Sequence, residues 1–402
     1  MKRAVVFGAG NIGRGFVGEL FSESGYDVTF IDVDRALLEA LNARRAYIVR
    51  LVDGEQVHDV QVGPVCALHA DDRDAVVDAV SRAEIMATAV GARALPTIAP
   101  NIAAGVRKRQ QAAMQTPLNC IVCENLKGAA GFLRGMVAKH LSAEEQGYLD
   151  AHVGFVNTVI GRMVPPLTPA QRAQDPTLIR VEPYKELPVD RAGFVGPAPQ
   201  IEAMEVCDNF AVYTARKLYI HNCGHAVLAY LGYLKGYTYG YEALSDAEID
   251  ASLQAAWRES IAGQVARYGV DAAWLQAHAD DLRRRFANRA LADTVYRLGR
   301  DPIRKLGPDD RLVAPARLAE TAGLQPRALA RAIAAALHFD PPGDAVSATL
   351  QQRLSVEGID AVLADICQIH PDEPLARLVR QNVWESAGKP WSATECTGHT
   401  EA

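Results

Sequence analysis

The stretch VVFGAGNIGRG, Val5–Gly15, decides the fold. An apolar run that reads as a β-strand passes into glycines at Gly8, Gly10 and Gly13, and these fit G-x-G-x-x-G. In that fingerprint the first glycine allows a tight turn. The second lets a pyrophosphate approach the backbone, and the third lets helix pack on strand. The helix that follows presents unpaired N–H groups and its positive dipole end to the phosphates. Ala9, Asn11 and Ile12 complete the expected cofactor loop.

Outward from this loop the pattern repeats. IGRGFVGELFSESG reads as a helix that stops at a glycine, DVTFIDVD as a second strand and RALLEALNARRA as a second helix. That order is the strand–helix–strand unit of a parallel sheet. The second strand ends at Asp32, where a carboxylate is expected to bind ribose hydroxyls and repel a 2′-phosphate. NAD is therefore expected over NADP, with nearby Arg35 a partial offset. AYIVRLVDGEQVHDVQVG alternates on both sides of Asp53-Gly54 and predicts a hairpin. AEIMATAVG and LNCIVCEN predict further buried strands, and RVEPYKELPVD an extended segment.

From about residue 200 helical periodicity takes over. Ser245 and Glu248 have capping-box spacing. Ile249, Leu253, Trp257, Ile261 and Val265 then form one apolar stripe. We expect an α/β Rossmann-type domain with a mainly parallel sheet over 1–195 and an all-α domain over 196–385. A polar tail is expected over 386–402, with the active site in the cleft between the domains. The 402 residues and 49% hydrophobic content suit two cores.

A net charge of −6 argues against nucleic acid or an anionic membrane as partner. No apolar run reaches spanning length. The opening residues read as a first strand rather than a signal peptide. Seven scattered cysteines point to reduced thiols in a cytoplasmic protein. Cys120 and Cys123 form a lone C-x-x-C inside a strand-like run, and read as structural thiols.

The chemistry is concentrated in KLYIHNCGH, Lys217–His225. As a metal site it is weak: H-x-x-x-H lacks a nearby acid, and Cys223 points away from His221 and His225 on a helix. As a proton-transfer site it is coherent. In a continuous α-helix Lys217, His221 and His225 share a face, with Asn222 beside His225 and Gly224 as a candidate kink. A desolvated lysine serves as a general base, and asparagine N–H groups stabilise developing alkoxide charge.

Five segments, taken together in order and spacing, carry a family resemblance. They are FGAGNIGRGF (Phe7–Phe16), TAVG (Thr88–Gly91), CENL (Cys123–Leu126), RKLYIHNCGHAVLAYLG (Arg216–Gly232) and RDPIRKLGPDDRL (Arg300–Leu312). The chain resembles the polyol-specific long-chain dehydrogenases, in their compact sugar-phosphate branch, over nearly its whole length. The resemblance implies a metal-independent, NAD-linked and reversible oxidation of a polyol phosphate, D-mannitol 1-phosphate, to the sugar phosphate D-fructose 6-phosphate. It implies Lys217 as base, Asn125 and Asn222 as oxygen-polarising amides, and His225 as the orienting residue. Ala89 and Val90 are implied to line the cofactor site, while His221 falls outside the pattern. Three positions depart from it, with Gly161 for an Asp, Leu187 for a Trp, and Ala215 for a Glu.

The arginine-rich stretch 283–311 offers phosphate ligands, of which Arg300, Arg304 and Lys305 are the candidates. The competing role is salt bridging to Asp293, Asp301, Asp309 and Asp310. A free polyol or hexonate is the alternative substrate class, and a non-catalytic NAD-binding sensor the alternative of another kind. A monomer or small homo-oligomer is expected.

Overall fold

In the computed structural model, which describes residues 2–165 and 167–387, the chain divides into two compact units after Tyr213. The polar tail expected over 386–402 lies outside the described residues beyond Ala387.

Among its described residues the first unit contains eleven strands: β1 (Lys2–Phe7), β2 (Tyr26–Asp32), β3 (Tyr47–Asp53), β4 (Gln56–Val62), β5 (Val65–His69), β6 (Ile85–Thr88), β7 (Leu118–Val122), β8 (Val153–Asn157), β9 (Ile179–Val181), β10 (Leu187–Asp190) and β11 (Met204–Cys207). Six of them form one parallel sheet in the order β5-β2-β1-β6-β7-β8. Counted within that sheet, the order is 3-2-1-4-5-6, and it reverses between β1 and β6. Ligands of open parallel sheets bind outside the carboxyl ends of the strands at such a reversal.

Helices cover both faces, so the inner strands are apolar on both sides. Val6 joins the core containing Phe16, Phe30 and Val181, and the adjacent Val5 and Phe7 join the one containing Met86, Ile102 and Val122. Asp34 and Asp72 cap helices Arg35–Arg44 and Arg73–Arg82 by accepting from backbone N–H groups. The expected hairpin forms as β3–β4, with Asp53 opposite Gln56, but β9 extends it into a separate three-stranded sheet.

A buried ion pair of Arg162 with Glu19 anchors the segment after β8 to the first helix. Arg162 also donates to the carbonyls of Gly15 (3.1 Å) and Glu182 (2.8 Å). The division after Tyr213 falls later in the chain than the Gly/Pro-rich stretch 190–200. β10 and β11 flank that stretch and pair with each other, so both belong to the first unit.

The second unit is all-α among its described residues. Its long helix, Ala247–Tyr268, buries Ile249, Leu253, Trp257 and Ile261, with Val265 only partly covered. The cap is not Ser245. Asp246 takes that place, accepting from the N–H groups of Glu248 (2.9 Å) and Ile249 (3.1 Å). Ser245 closes the preceding helix and donates back to the Tyr241 carbonyl. A carboxylate is the better acceptor for those N–H groups, and it also complements the helix dipole.

Candidate functional site

The glycine loop follows β1 at the strand reversal. Gly8 has φ +97°, which a side chain would strain, and a Cβ there would collide with the carbonyl of Ala89. A Cβ on Gly13 would collide with the carbonyl of Gly8, whereas at Gly10 nothing lies within 4 Å. A cradle closed at two glycines and open at the third fits a dinucleotide pyrophosphate. Gly10 and Asn11 are exposed, Ile12 is half-buried and Ala9 is buried.

Asp32 does more than wait for a ribose. Its Oδ2 accepts the Ala9 N–H at 2.6 Å and its Oδ1 the Val33 N–H at 2.7 Å. The next peptide is held by Arg14, whose Nε donates to the Ala9 carbonyl at 2.6 Å, so Ala9 is fixed on both sides. Arg14 is buried and donates onward to the Thr177 carbonyl at 2.5 Å. Its position directly after the glycine fingerprint was the signal available for this role. Arg35 is exposed.

Beside this loop, Ala89 and Val90 sit half-buried in the turn after β6. Asn125 is exposed in the turn after β7. Glu124, one residue before it, was passed over in the sequence. Its buried carboxylate accepts from Thr88 Oγ1 at 2.6 Å and from the Val90 N–H at 3.0 Å. Cys120 and Cys123 are buried, and burial pushes both thiols up, which disfavours the thiolate that redox or nucleophilic chemistry uses.

In the second unit the stretch Lys217–His225 departs from the α-helix assumed above. Helix Phe210–Arg216 is followed by a π-type stretch over Lys217–Asn222, and α-helix resumes at Cys223–Leu234. The N–H of Cys223 reaches back to the Leu218 carbonyl, five residues earlier. This wider turn brings Lys217 beside Asn222, and its Nζ donates to Asn222 Oδ1 at 3.2 Å.

Gly224 is not the break. It lies within the helix, and a Cβ there would stand 2.7 Å from Trp257 and 2.9 Å from Phe286. Two side chains of helix Ala247–Tyr268 support the π-type stretch. Trp257 Nε1 donates to the Ile220 carbonyl at 2.8 Å and Ser260 Oγ to the Tyr219 carbonyl at 2.7 Å. Local widening of this kind recurs at functional sites, because it re-aims side chains that a regular helix would separate.

The electrostatics match the geometry. Burial first, and Arg311 second, lower the Lys217 ammonium from its ordinary 10.5 to about 8, against a smaller opposing effect of Asp310. His225 is held well below the usual imidazole range by burial, then by Arg311 and Lys217. It stacks on Phe286 with ring centroids 4.3 Å apart. His221 is buried and neutral for the same first reason, with His225 next. Its ring meets His225 edge-on at 4.9 Å, and its Nδ1 has no hydrogen-bond partner among the described residues. No group of three or more metal-ligating side chains occurs among the described residues.

The three phosphate candidates differ. Arg300 is exposed. Arg304 is exposed and tied to Asp301 at 2.5 Å and Asp310 at 3.3 Å. Lys305 is buried and donates to the Leu298 carbonyl, and burial with Arg311 lowers it to about 7. Arg311, the last of the basic cluster read in the sequence, is buried with its Nε 2.7 Å from Asp310. Arg297 pairs with Asp293. Arg311, Arg297 and Lys305 all depress His225, so they set one positive field around it.

Residues 2–203 match the family model described as the mannitol dehydrogenase Rossmann domain, and residues 209–384 match that of the mannitol dehydrogenase C-terminal domain. A mannitol-1-phosphate 5-dehydrogenase of Geobacillus thermodenitrificans is 40% identical over 94% of this chain and 97% of its own. The enzyme of that name from Bacillus subtilis is 38% identical over 94% and 98%. Among solved structures, Pseudomonas fluorescens mannitol 2-dehydrogenase superposes with a TM-score of 0.73 at 18% identity, covering 96% of this chain and 93% of that one. A D-sorbitol dehydrogenase gives 0.78 at 16% identity, covering 94% and 92%. At those identities the likeness speaks for the fold alone.

Proposed function

Because the chain belongs to the mannitol dehydrogenase family, matched across 2–203 and 209–384, we propose that it catalyses the NAD-linked, reversible oxidation of D-mannitol 1-phosphate to D-fructose 6-phosphate. The observation that carries the chemistry is the Lys217–Asn222 contact at 3.2 Å, with the lysine lowered to about 8. The relatives named mannitol-1-phosphate 5-dehydrogenase support the substrate, and the Asp32-held glycine loop supports NAD.

Bound NAD supplies the hydride acceptor, and Gly8–Gly13 with Asp32 would hold its pyrophosphate and ribose. Lys217 in its neutral form takes the hydroxyl proton as the carbinol carbon loses hydride, and ends as the ammonium. Its contact with Asn222 Oδ1 orients that amide, leaving Nδ2 as the donor toward the alcohol oxygen. Such a fixed donor lowers the barrier because it needs no reorganisation as charge develops. His225, neutral and stacked on Phe286, orients the substrate. Asn125 is assigned a further amide donor on the strength of its CENL motif, and Asn125→Ala tests it.

The phosphate is assigned to Arg300, Arg304 and Lys305. The positive field shared by Lys305 and Arg311 supports an anion near them. No helix among the described residues is long and apolar enough to cross a membrane, and we place the enzyme in the cytoplasm.

The test is NADH formation from D-mannitol 1-phosphate, mannitol and hexonates, with and without chelator. Preference for the phosphate ester, unchanged by chelator, is expected. Preference for an unphosphorylated substrate moves the reading to a free-polyol or hexonate dehydrogenase. Binding of NAD without oxidation of any of them moves it to a sensor.

A further inference from the structure

The turn after β6 borders the strand reversal and meets the glycine loop directly. The Ala89 N–H donates to the Phe7 carbonyl at 2.7 Å, and the Ala89 carbonyl occupies the space a Gly8 side chain would need. From the opposite side the turn is held by Glu124. Its Oε2 accepts from Thr88 Oγ1 at 2.6 Å and its Oε1 from the Val90 N–H at 3.0 Å. The Cys123 N–H closes the stitch by donating to the Thr88 carbonyl at 2.9 Å.

Both donors to the carboxylate are neutral, and Glu124 is 6% exposed. A carboxylate in that setting is desolvated, and burial accordingly pushes its proton affinity up against the pull of those donors. An ordinary turn does not need a buried acid, since main-chain bonds close it. A carboxylate has the acceptor capacity to take both donors at once, one on each oxygen.

We propose that Glu124 is a positioning residue for the dinucleotide, fixing the Thr88–Gly91 turn that forms the β6 side of its site. The glycine loop and Asp32 serve the pyrophosphate and the adenosine ribose, so the β6 turn is left for the nicotinamide half. The inference rests on the dinucleotide reading and not on which polyol is oxidised.

The substitutions rank by what they leave unpaired. Thr88→Val removes one donor. Glu124→Gln keeps an acceptor for the Val90 N–H and lets the Thr88 hydroxyl reverse its role. Glu124→Ala leaves the Val90 N–H and the Thr88 hydroxyl without their acceptor.

The experiment is equilibrium titration of NADH and, separately, of AMP against the full chain and each variant, by fluorescence and calorimetry, with no polyol present. Thermal melting accompanies each titration. Loss of two charge-assisted bonds predicts NADH binding weakened roughly 10- to 100-fold in Glu124→Ala. In Glu124→Gln, which keeps neutral versions of both contacts, and in Thr88→Val, which loses one of the two, the weakening is a few-fold. AMP binding stays within about threefold throughout, because the adenosine half binds elsewhere. NADH binding unchanged in Glu124→Ala overturns the proposal. So does AMP binding lost in parallel with NADH, which marks Glu124 as purely structural. A wild-type chain that binds AMP or NADH not at all overturns the dinucleotide reading itself, and the inference with it.

Discussion

Lys217→Met separates chemistry from folding. The folded chain holds the Lys217 ammonium at about 8 against an ordinary 10.5. At about 1.4 kcal/mol per pH unit, this charge costs the folded state roughly 3 kcal/mol at pH 7. The sign follows from proton counting. Between about 8 and 10.5 the unfolded chain keeps a proton that the folded chain has released, so the wild type gains stability as pH rises through that window. Methionine has a similar length and no charge, but it forfeits the 3.2 Å bond to Asn222, worth about 1 kcal/mol. The variant is therefore expected to be more stable than wild type by roughly 2 kcal/mol at pH 7, with the advantage shrinking toward pH 10. Urea unfolding of both proteins from pH 7 to pH 10 measures this directly, alongside turnover, which the variant loses. A variant less stable than wild type at pH 7 refutes the reasoning, as does an advantage that does not shrink with pH.

Three further outcomes follow from the same geometry. Gly224→Ala forces a Cβ to 2.7 Å from Trp257 and displaces the turn carrying Asn222 and His225. Overpacking predicts about 1–3 kcal/mol lost on melting, with kcat falling while NADH affinity holds. Arg311→Gln removes a positive neighbour of Lys217, so the alkaline rise of kcat/KM for alcohol oxidation, centred near 8 in the wild type, moves to higher pH. Arg14→Met frees the Ala9 carbonyl from its 2.6 Å bond, and NADH titration is expected to show binding weaker by about tenfold.

The parallel sheet was legible because β1, β2, β6 and β7 are apolar runs bounded by glycine, acid or proline. β5 and β8 were harder to see. The helix Ala143–His152 passes into β8 at Val153 with no glycine or proline between them, so no local signal marks the change. The lysine, asparagine and histidine of the candidate site were legible as a motif, but their spatial relation was not. An α-helical wheel groups Lys217 with His221, whereas the π-type stretch pairs Lys217 with Asn222. That widening is supported by Trp257 and Ser260, which lie far along the chain; the apolar stripe showed Trp257 as buried but gave no sign of the carbonyls that these two side chains reach. Glu124 and Arg14 were hidden for a related reason. Both are charged residues inside recognised motifs, and only the fold shows what each carboxylate or guanidinium reaches. Within 283–311 the sequence offered both the cations and their acidic partners, but only the fold shows which pairs form and that Lys305 and Arg311 are buried while Arg304 is exposed.

The most direct test of the central claim is single-turnover NADH formation from D-mannitol 1-phosphate by the wild type and Lys217→Ala, with folding checked by circular dichroism and NADH binding by titration. Removing a general base predicts a rate lower by on the order of 10²–10⁴ in the variant, with NADH binding intact. A folded Lys217→Ala enzyme that forms NADH at near the wild-type rate contradicts the assignment of Lys217 as the base.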